Sequence, residues 1–199
     1  MKILAFSDLH VDLDAAAELV AAAAGADLVI GAGDFASMHA GLERAVGALA
    51  GIETPTVLVP GNNETDAALR SVAAEWAAAT VLHGEAAEIG GVSAFGLGAG
   101  IPTTPWDWSF DLTDHEAERA LADAPRDLDV LILHSPPQGH VDRDGSGTSL
   151  GSPAILAAIE RLQPKLAVCG HIHDSRAQRS RIGATEVANL GPSGAWFEL

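Results

Sequence analysis

Leu166-Ala167-Val168-Cys169-Gly170-His171-Ile172-His173 reads as a short apolar strand that stops at a glycine and then delivers two imidazoles one residue apart. Side chains two positions apart at a strand end share a face, so both rings reach the same space beyond the sheet. Such a pair adds little to a core, and metal ligation is the reading that uses both rings. Four more apolar runs end in the same way: Ile3-Leu4-Ala5-Phe6 leads to Asp8-Leu9-His10, Leu28-Val29-Ile30 to Gly33-Asp34, Val57-Leu58-Val59 to Gly61-Asn62, and Val130-Leu131-Ile132-Leu133 to His134. Five strand ends therefore deliver only oxygen and nitrogen donors.

Working outward, the chain alternates between these runs and helical patterns. A helix over about Asp12 to Ala24 puts Leu13, Ala16, Ala17, Val20 and Ala24 on one face, with Gly25 as its stop. Residues 41–50 repeat the pattern with Leu42, Ala45, Val46 and Leu49, and Thr56 to Pro60 is again a strand. Strand, helix, strand, helix, strand is the signature of a parallel or mostly parallel sheet, in which sites collect beyond the carboxyl ends of the strands. A third helix, about Thr65 to Ala78, buries Leu69, Val72, Ala73 and Trp76. Thr80 to His83, Ala86 to Ile89 and Val92 to Leu97, separated by Gly84 and Gly90-Gly91, read as antiparallel strands.

In the second half, Thr113-Asp114-His115-Glu116 has capping-box spacing and opens a helix to about Ala122. Asp129 to Leu133 is a buried strand, Ser152-Pro153 starts a helix to about Leu162, and Thr185 to Leu190 and Ala195 to Leu199 are two further strands. Gly96-Leu97-Gly98-Ala99-Gly100 has the look of a nucleotide loop, but Ile101-Pro102 follows it and not the helix such a loop requires. Pro105-Trp106-Asp107-Trp108 is a loop whose tryptophans are read as cover for the core ahead of a substrate lid. Gln138 to Gly151 is a long polar loop, of the kind that is functional or mobile.

Composition excludes several classes. With 27 acidic against 11 basic residues the net charge is −16, and Lys2 and Lys165 are the only lysines. General binding to nucleic acid or to an anionic membrane is not expected of such a surface. The charges are dispersed, as on a solubility surface, and an anionic substrate would need positive charge brought by bound divalent ions. The apolar stretch at Ile3–Phe6 is too short for a signal peptide or a membrane span. One cysteine, Cys169, leaves no internal disulfide. The expectation is one domain over 1–199 in the cytoplasm.

Each motif is weak alone, and Asp-x-His is near its chance frequency. In order, Asp-x-His, Gly-Asp, Gly-Asn, a strand-end His and Gly-His-x-His resemble the calcineurin-like metallophosphoesterases, from Ser7 to Gly191. His134-Ser135-Pro136-Pro137 and Gly170-His171-Ile172-His173-Asp174 look closest to the small single-domain phosphoesterases of that superfamily. The resemblance implies a four-layer α/β/β/α sandwich with two mixed central sheets. It also implies two divalent metal ions bridged by Asp34, with Asp8, His10 and His173 on one and Asn62, His134 and His171 on the other. Carboxylate and imidazole suit Mn²⁺ first, with Fe and Zn²⁺ as alternatives, and a metal-bridging hydroxide would attack a small phosphoester substrate in line.

The catalytic set carried over is Asp34, Asn62, Asn63 and His134. Asn63 is a departure, because the family's usual Gly-Asn-His places at that position a histidine thought to protonate the leaving group. An amide cannot deliver a proton near neutral pH, and some small phosphodiesterases also lack this histidine, so phosphodiesterase is read ahead of phosphomonoesterase acting on phosphoprotein or nucleotide. A non-catalytic scaffold of the same fold is the alternative of a different class. Glu64 is expected to orient its surroundings or merely to open the helix at Thr65. His39 and His83 read as loop residues, His115 as a surface helix residue and Cys169 as a small packing residue. Trp106, Trp108, His140, Asp142 and Arg143 are rim candidates by their position in loops.

Overall fold

A computed structural model describes all residues, Met1–Leu199. Eleven strands form two sheets. The first, in the order β11-β1-β2-β3-β4, contains β1 (Lys2–Phe6), β2 (Leu28–Gly31), β3 (Thr56–Leu58), β4 (Ala79–Val81) and β11 (Ala195–Glu198). The second, in the order β5-β6-β7-β8-β10-β9, contains β5 (Glu85–Ile89), β6 (Val92–Leu97), β7 (Val130–Leu133), β8 (Leu166–Cys169), β9 (Arg179–Ile182) and β10 (Thr185–Asn189). Strands β1 to β4 run parallel, as do β6, β7, β8 and β10, whereas the edge strands β11, β5 and β9 are antiparallel. The four-layer sandwich implied by the family resemblance is the fold observed.

Alternation along the strands builds the layers. Ile3, Ala5, Leu28, Ile30, Val57 and Val59 face Ala94, Val130, Ile132, Leu166, Val168 and Ala188 between the sheets. Leu4, Phe6, Val29 and Leu58 point the other way, onto α1 (Leu13–Ala23), α2 (Leu42–Leu49) and α3 (Asp66–Ala73). Phe95, Leu97, Leu131, Leu133 and Val187 do the same for α4 (Asp114–Ala122) and α5 (Pro153–Leu162). No helix is long and apolar enough to cross a membrane.

The helix starts follow their sequence signals. Thr113 and Glu116 close a capping box, and Ser152 Oγ accepts from the Ile155 amide. The same fully buried hydroxyl donates to Asp114 Oδ1, tying the starts of α4 and α5 together. Ser152→Ala is expected to cost about 1–2 kcal/mol, read as a fall of several degrees in the thermal midpoint. An unchanged midpoint would show that the cap contributes nothing.

The structure departs from the sequence reading in several places. Helix α1 buries Ala16, Leu19 and Ala23 and leaves Leu13, Ala17 and Ala24 exposed. In so alanine-rich a segment the apolar pattern has little contrast, and the one large residue of the middle turn, Leu19, sets the face. Helix α3 ends at Ala73, and beyond it Trp76 turns inward to donate Nε1–H to Ile52 O at 2.9 Å. Of the three runs read as antiparallel, only β5 is so; β4 extends the first sheet and β6 joins the second in parallel, because α3 and α4 serve as crossover connections. Strand β9, a polar edge strand lacking an apolar run, carried no sequence signal. The glycines of the nucleotide-like run serve packing: a Cβ at Gly98 would overlap Pro60 at the end of β3.

Candidate metal centre

The carboxyl ends of β1, β2, β3, β7 and β8 meet at one edge of the sandwich, three strands from one sheet and two from the other. Beyond them the loops interlock through backbone bonds, including Asp8 N to Gly33 O (2.9 Å), His10 N to Asp34 O (3.0 Å) and Gly170 N to His134 O (2.8 Å). Four of the residues carried to this edge sit in the left-handed backbone region: Asp8 (φ 54°), His10 (φ 45°), Asp34 (φ 60°) and His171 (φ 68°). Clustered strain of this kind marks a functional site.

Asp34 lies at the centre. Its Oδ1 accepts from the Asn63 amide (2.9 Å) and lies 3.4 Å from His134 Nε2; its Oδ2 accepts from Asn63 Nδ2 (2.7 Å) and lies 3.6 Å from His10 Nε2. On the Oδ2 side, His10 Nε2 and His173 Nε2 are 3.2 Å apart, and His173 Nε2 is 3.5 Å from Asp8 Oδ1. On the Oδ1 side, Asn62 Oδ1 faces His134 Nε2 (3.2 Å) and His171 Nδ1 (3.0 Å). All seven residues proposed as ligands thus converge, in the two groups expected of them. Asp8 also joins Asp34 and His134 in a second close cluster, so it touches both groups.

The donor atoms suit hard or borderline divalent ions. His10 Nδ1 lies 3.2 Å from Ala36 O, and His134 Nδ1 lies 2.8 Å from Ala32 O. A proton on each Nδ1 satisfies the carbonyl and leaves the inward Nε2 as a free lone pair, the tautomer a ligating histidine needs. Asp8 and Asp34 are almost fully buried, and two carboxylates so placed call for positive charge between them. In the protein alone, protons answer that demand. Burial disfavours charge on His134, but the Asp34 carboxylate outweighs it and pushes the imidazole up to about 9. Burial likewise raises Asp34, and the adjacent His134 more than reverses this, holding the carboxyl well below its usual range. His171 is driven down to about 4 by burial and by the neighbouring His134 charge.

Supporting residues hold this arrangement. Glu64, fully buried, accepts from the amides of Asp34 (2.8 Å), Ala36 (2.9 Å) and Gly61 (2.6 Å) and so pins the Gly-Asp loop to the Gly-Asn loop. Burial and the Asp34 carboxylate raise its own carboxyl to about 7. Of the two roles expected for Glu64, orientation is the one observed, since helix α3 is capped by Thr65. A Cβ at Gly61 would collide with the Asp34 backbone and carboxylate, which explains the glycine before Asn62. Ser7 donates to Asp8 Oδ2, and Ser109 Oγ accepts from Asn62 Nδ2 (2.9 Å) while donating to Asp111 (2.7 Å). Reading strand ends could not find Ser109 or Asp111, which come from the loop after β6 folded back so that Phe110 N bonds Asn62 O at 2.9 Å.

A cleft of about 390 Å³ opens over the cluster. Among the rim candidates, Trp106 and Trp108 line it, joined by Asp144, Leu150, Ile172 and Asp174. Trp106 is 50% exposed and does not cover the core. His140, Asp142 and Arg143 do not line the cleft. His140 Nδ1 contacts Ser180 Oγ, Asp142 is buried as the acceptor for Gly139 N and Gly151 N, and Arg143 caps Gly147 O of its own loop. His83 packs on Phe110, His115 is exposed on α4, and the buried Cys169 thiol is raised by desolvation and fills space in β8. His39 supports Trp108 through its backbone oxygen and an edge-on ring contact.

Comparison with known proteins agrees with this geometry. Residues 1–175 match the model of the family described as calcineurin-like phosphoesterase. UPF0046 protein T07D4.2 of Caenorhabditis elegans is 32% identical over 106 residues, 48% of this chain and 24% of that protein. Human metallophosphoesterase domain-containing protein 1 is 35% identical over 80 residues, 38% of this chain and 24% of that protein. The chain therefore spans about a quarter of the length of these curated relatives. The solved structure of TT1561 of Thermus thermophilus superposes with a TM-score of 0.77 at 20% identity, covering 96% of this chain and 90% of that one, a likeness of fold.

Proposed function

The chain belongs to the calcineurin-like phosphoesterase family, and from that premise we propose a metal-dependent phosphoester hydrolase that takes diesters in preference to monoesters. Asp8, His10 and His173 with Asp34 Oδ2 would hold one divalent ion, and Asn62, His134 and His171 with Asp34 Oδ1 a second, with Mn²⁺ as the first choice. Such a pair supplies acidified water and offsets the charge of the phosphoryl oxygens. The chain's own groups do the rest. Backbone carbonyls of Ala32 and Ala36 fix the His134 and His10 rings, and Glu64 holds the loops that carry Asp34 and Asn62.

The observation that carries the diester preference is Asn63. Its Nδ2 donates to Asp34 Oδ2 and its Oδ1 accepts from the Met38 amide (2.7 Å), and a carboxamide so placed has no acidic proton to give a leaving group. A poor alkoxide then leaves slowly, and a leaving group that is already acidic suffers less. Charge supports the same reading. No lysine or arginine lines the cleft, so a monoanionic diester is easier to accept than a dianionic monoester.

Protein stripped of metal and reloaded with Mn²⁺ is expected to hydrolyse bis-p-nitrophenyl phosphate at least about tenfold faster, in kcat/KM, than p-nitrophenyl phosphate. The two share an acidic leaving group that needs no proton from residue 63, so the ratio reads the preference for a monoanionic diester over a dianionic monoester. A preference for the monoester overturns the diester reading. Inertness toward both in the loaded protein overturns catalysis and favours a metal-binding scaffold.

A further inference from the structure

The protein exposes six large apolar side chains: Met1, Leu13, Met38, Trp106, Leu150 and Trp196. Trp106 and Leu150 line the cleft above the metal cluster. Met38 adjoins it, its amide donating to Asn63 Oδ1. Two of the six exposed large apolar residues thus line one opening, and the backbone of a third runs beside it. The pattern differs from scattered surface apolar residues, which need no explanation.

Trp106 is backed there by a second indole. Its ring lies nearly parallel to that of Trp108, with centroids 5.6 Å apart and planes 13° apart. Trp108 is fixed in turn by His39, whose Nε2 bonds its backbone oxygen and whose ring meets the indole edge-on at 6.3 Å. His39 is itself tied to the site, since its amide donates to Asn63 O at 2.9 Å. A backed, half-exposed indole at the mouth of a cleft is a flat surface that costs little to order on binding. Two carboxylates share the mouth with it. Asp174 Oδ2 accepts from the Gly145 amide (2.8 Å), and Asp144 accepts from Ser146 and Thr148 of its own turn. These donors are all neutral, and no lysine or arginine faces either carboxylate across the cleft.

We propose that this mouth is a subsite for the second ester group of the substrate, and that the group it takes is a flat, uncharged aromatic one stacked on Trp106. The inference rests on the phosphodiester reading for its substrate class. It goes further in naming the group beside the phosphate and in excluding polyanionic diesters, which Asp144 and Asp174 would repel.

The test uses the metal-loaded full chain and three diesters with one leaving group: methyl, phenyl and 4-carboxyphenyl p-nitrophenyl phosphate. After correction for their rates in water, kcat/KM is expected to be at least about tenfold higher for phenyl than for methyl, with 4-carboxyphenyl falling back several-fold. Trp106→Ala should lose at least about fivefold more on the phenyl ester than on the methyl ester, with Trp106→Phe between wild type and Trp106→Ala. Trp106 is half exposed, so the variant keeps its fold, which its metal content verifies. Calorimetric binding of diphenyl phosphate against dimethyl phosphate tests the subsite without turnover, and at least about tenfold tighter binding of the former is expected. Equal affinities for these two, or a phenyl-to-methyl ratio that Trp106→Ala leaves intact, overturn the subsite. Tight, Trp106-dependent binding of diphenyl phosphate by a protein that hydrolyses only monoesters would support the subsite and overturn the diesterase reading alone.

Discussion

Asp34→Asn is expected to lower kcat/KM by roughly 10³-fold or more and to strip at least one of two bound ions. Each oxygen of Asp34 serves a different cluster: Oδ1 stands 3.4 Å from His134 Nε2 and Oδ2 stands 3.6 Å from His10 Nε2. Both also accept from Asn63, through its backbone amide and its side chain. An amide at position 34 keeps only one acceptor. Whichever way it turns, its NH₂ group meets an N–H donor of Asn63, and the negative charge shared by the two clusters is gone. Elemental analysis of the purified variant and its activity on a p-nitrophenyl diester are read together. A variant that keeps two ions and normal activity would sink the bridging role.

Glu64→Ala is expected to act on stability as strongly as Asp34→Asn acts on chemistry. It leaves the amides of Asp34, Ala36 and Gly61 buried without an acceptor. At about 1–3 kcal/mol for each unmatched donor, some of it recovered by relaxation, the loss is about 3–6 kcal/mol, or roughly 10 °C or more in thermal midpoint. Glu64→Gln, which keeps one acceptor oxygen, should fall between. Denaturant unfolding of the metal-free protein gives the comparison free of ligand effects. A change within about 1 kcal/mol would mean that the loops are held by the backbone alone.

The candidate site was legible because each candidate ligand follows an apolar run, so the order of residues along the chain maps directly onto strand ends of one face. A mostly parallel sheet placed Asp8, His10, Asp34, Asn62, His134, His171 and His173 at strand ends, and the family resemblance carried by their order made them a candidate ligand set. The partners of these residues were not legible. Ser109 and Asp111 reach Asn62 only through a loop whose path depends on backbone bonds to Gly100 and Asn62. The rim was legible only for Trp106 and Trp108, for a similar reason: Asp142 and Trp106 are both loop residues, yet one turns inward to organise amides and the other outward to the cleft. A mostly parallel sheet was readable from alternation and the four-layer sandwich from the resemblance, whereas the parallel placement of β4 and β6 depended on which helix bridges which strands. In α1 the face was misread because seven alanines and one glycine in 12–25 give burial no preferred direction.

The interlocking of loops from both sheets also bears on when the centre can exist. The bond from the His171 amide to Asp8 Oδ1 joins residues 163 apart in sequence, and the His10–His173 contact spans the same separation. Contacts of such range form late, after both sheets have docked. During synthesis, which proceeds from the N-terminus, a nascent chain that has emerged only to β7 carries Asp8, His10, Asp34 and Asn62 but neither of the histidines that follow β8. If the cluster holds ions as proposed, tight capture would be reserved for the finished protein, and metal uptake would double as a check that the last third of the chain has folded onto the first.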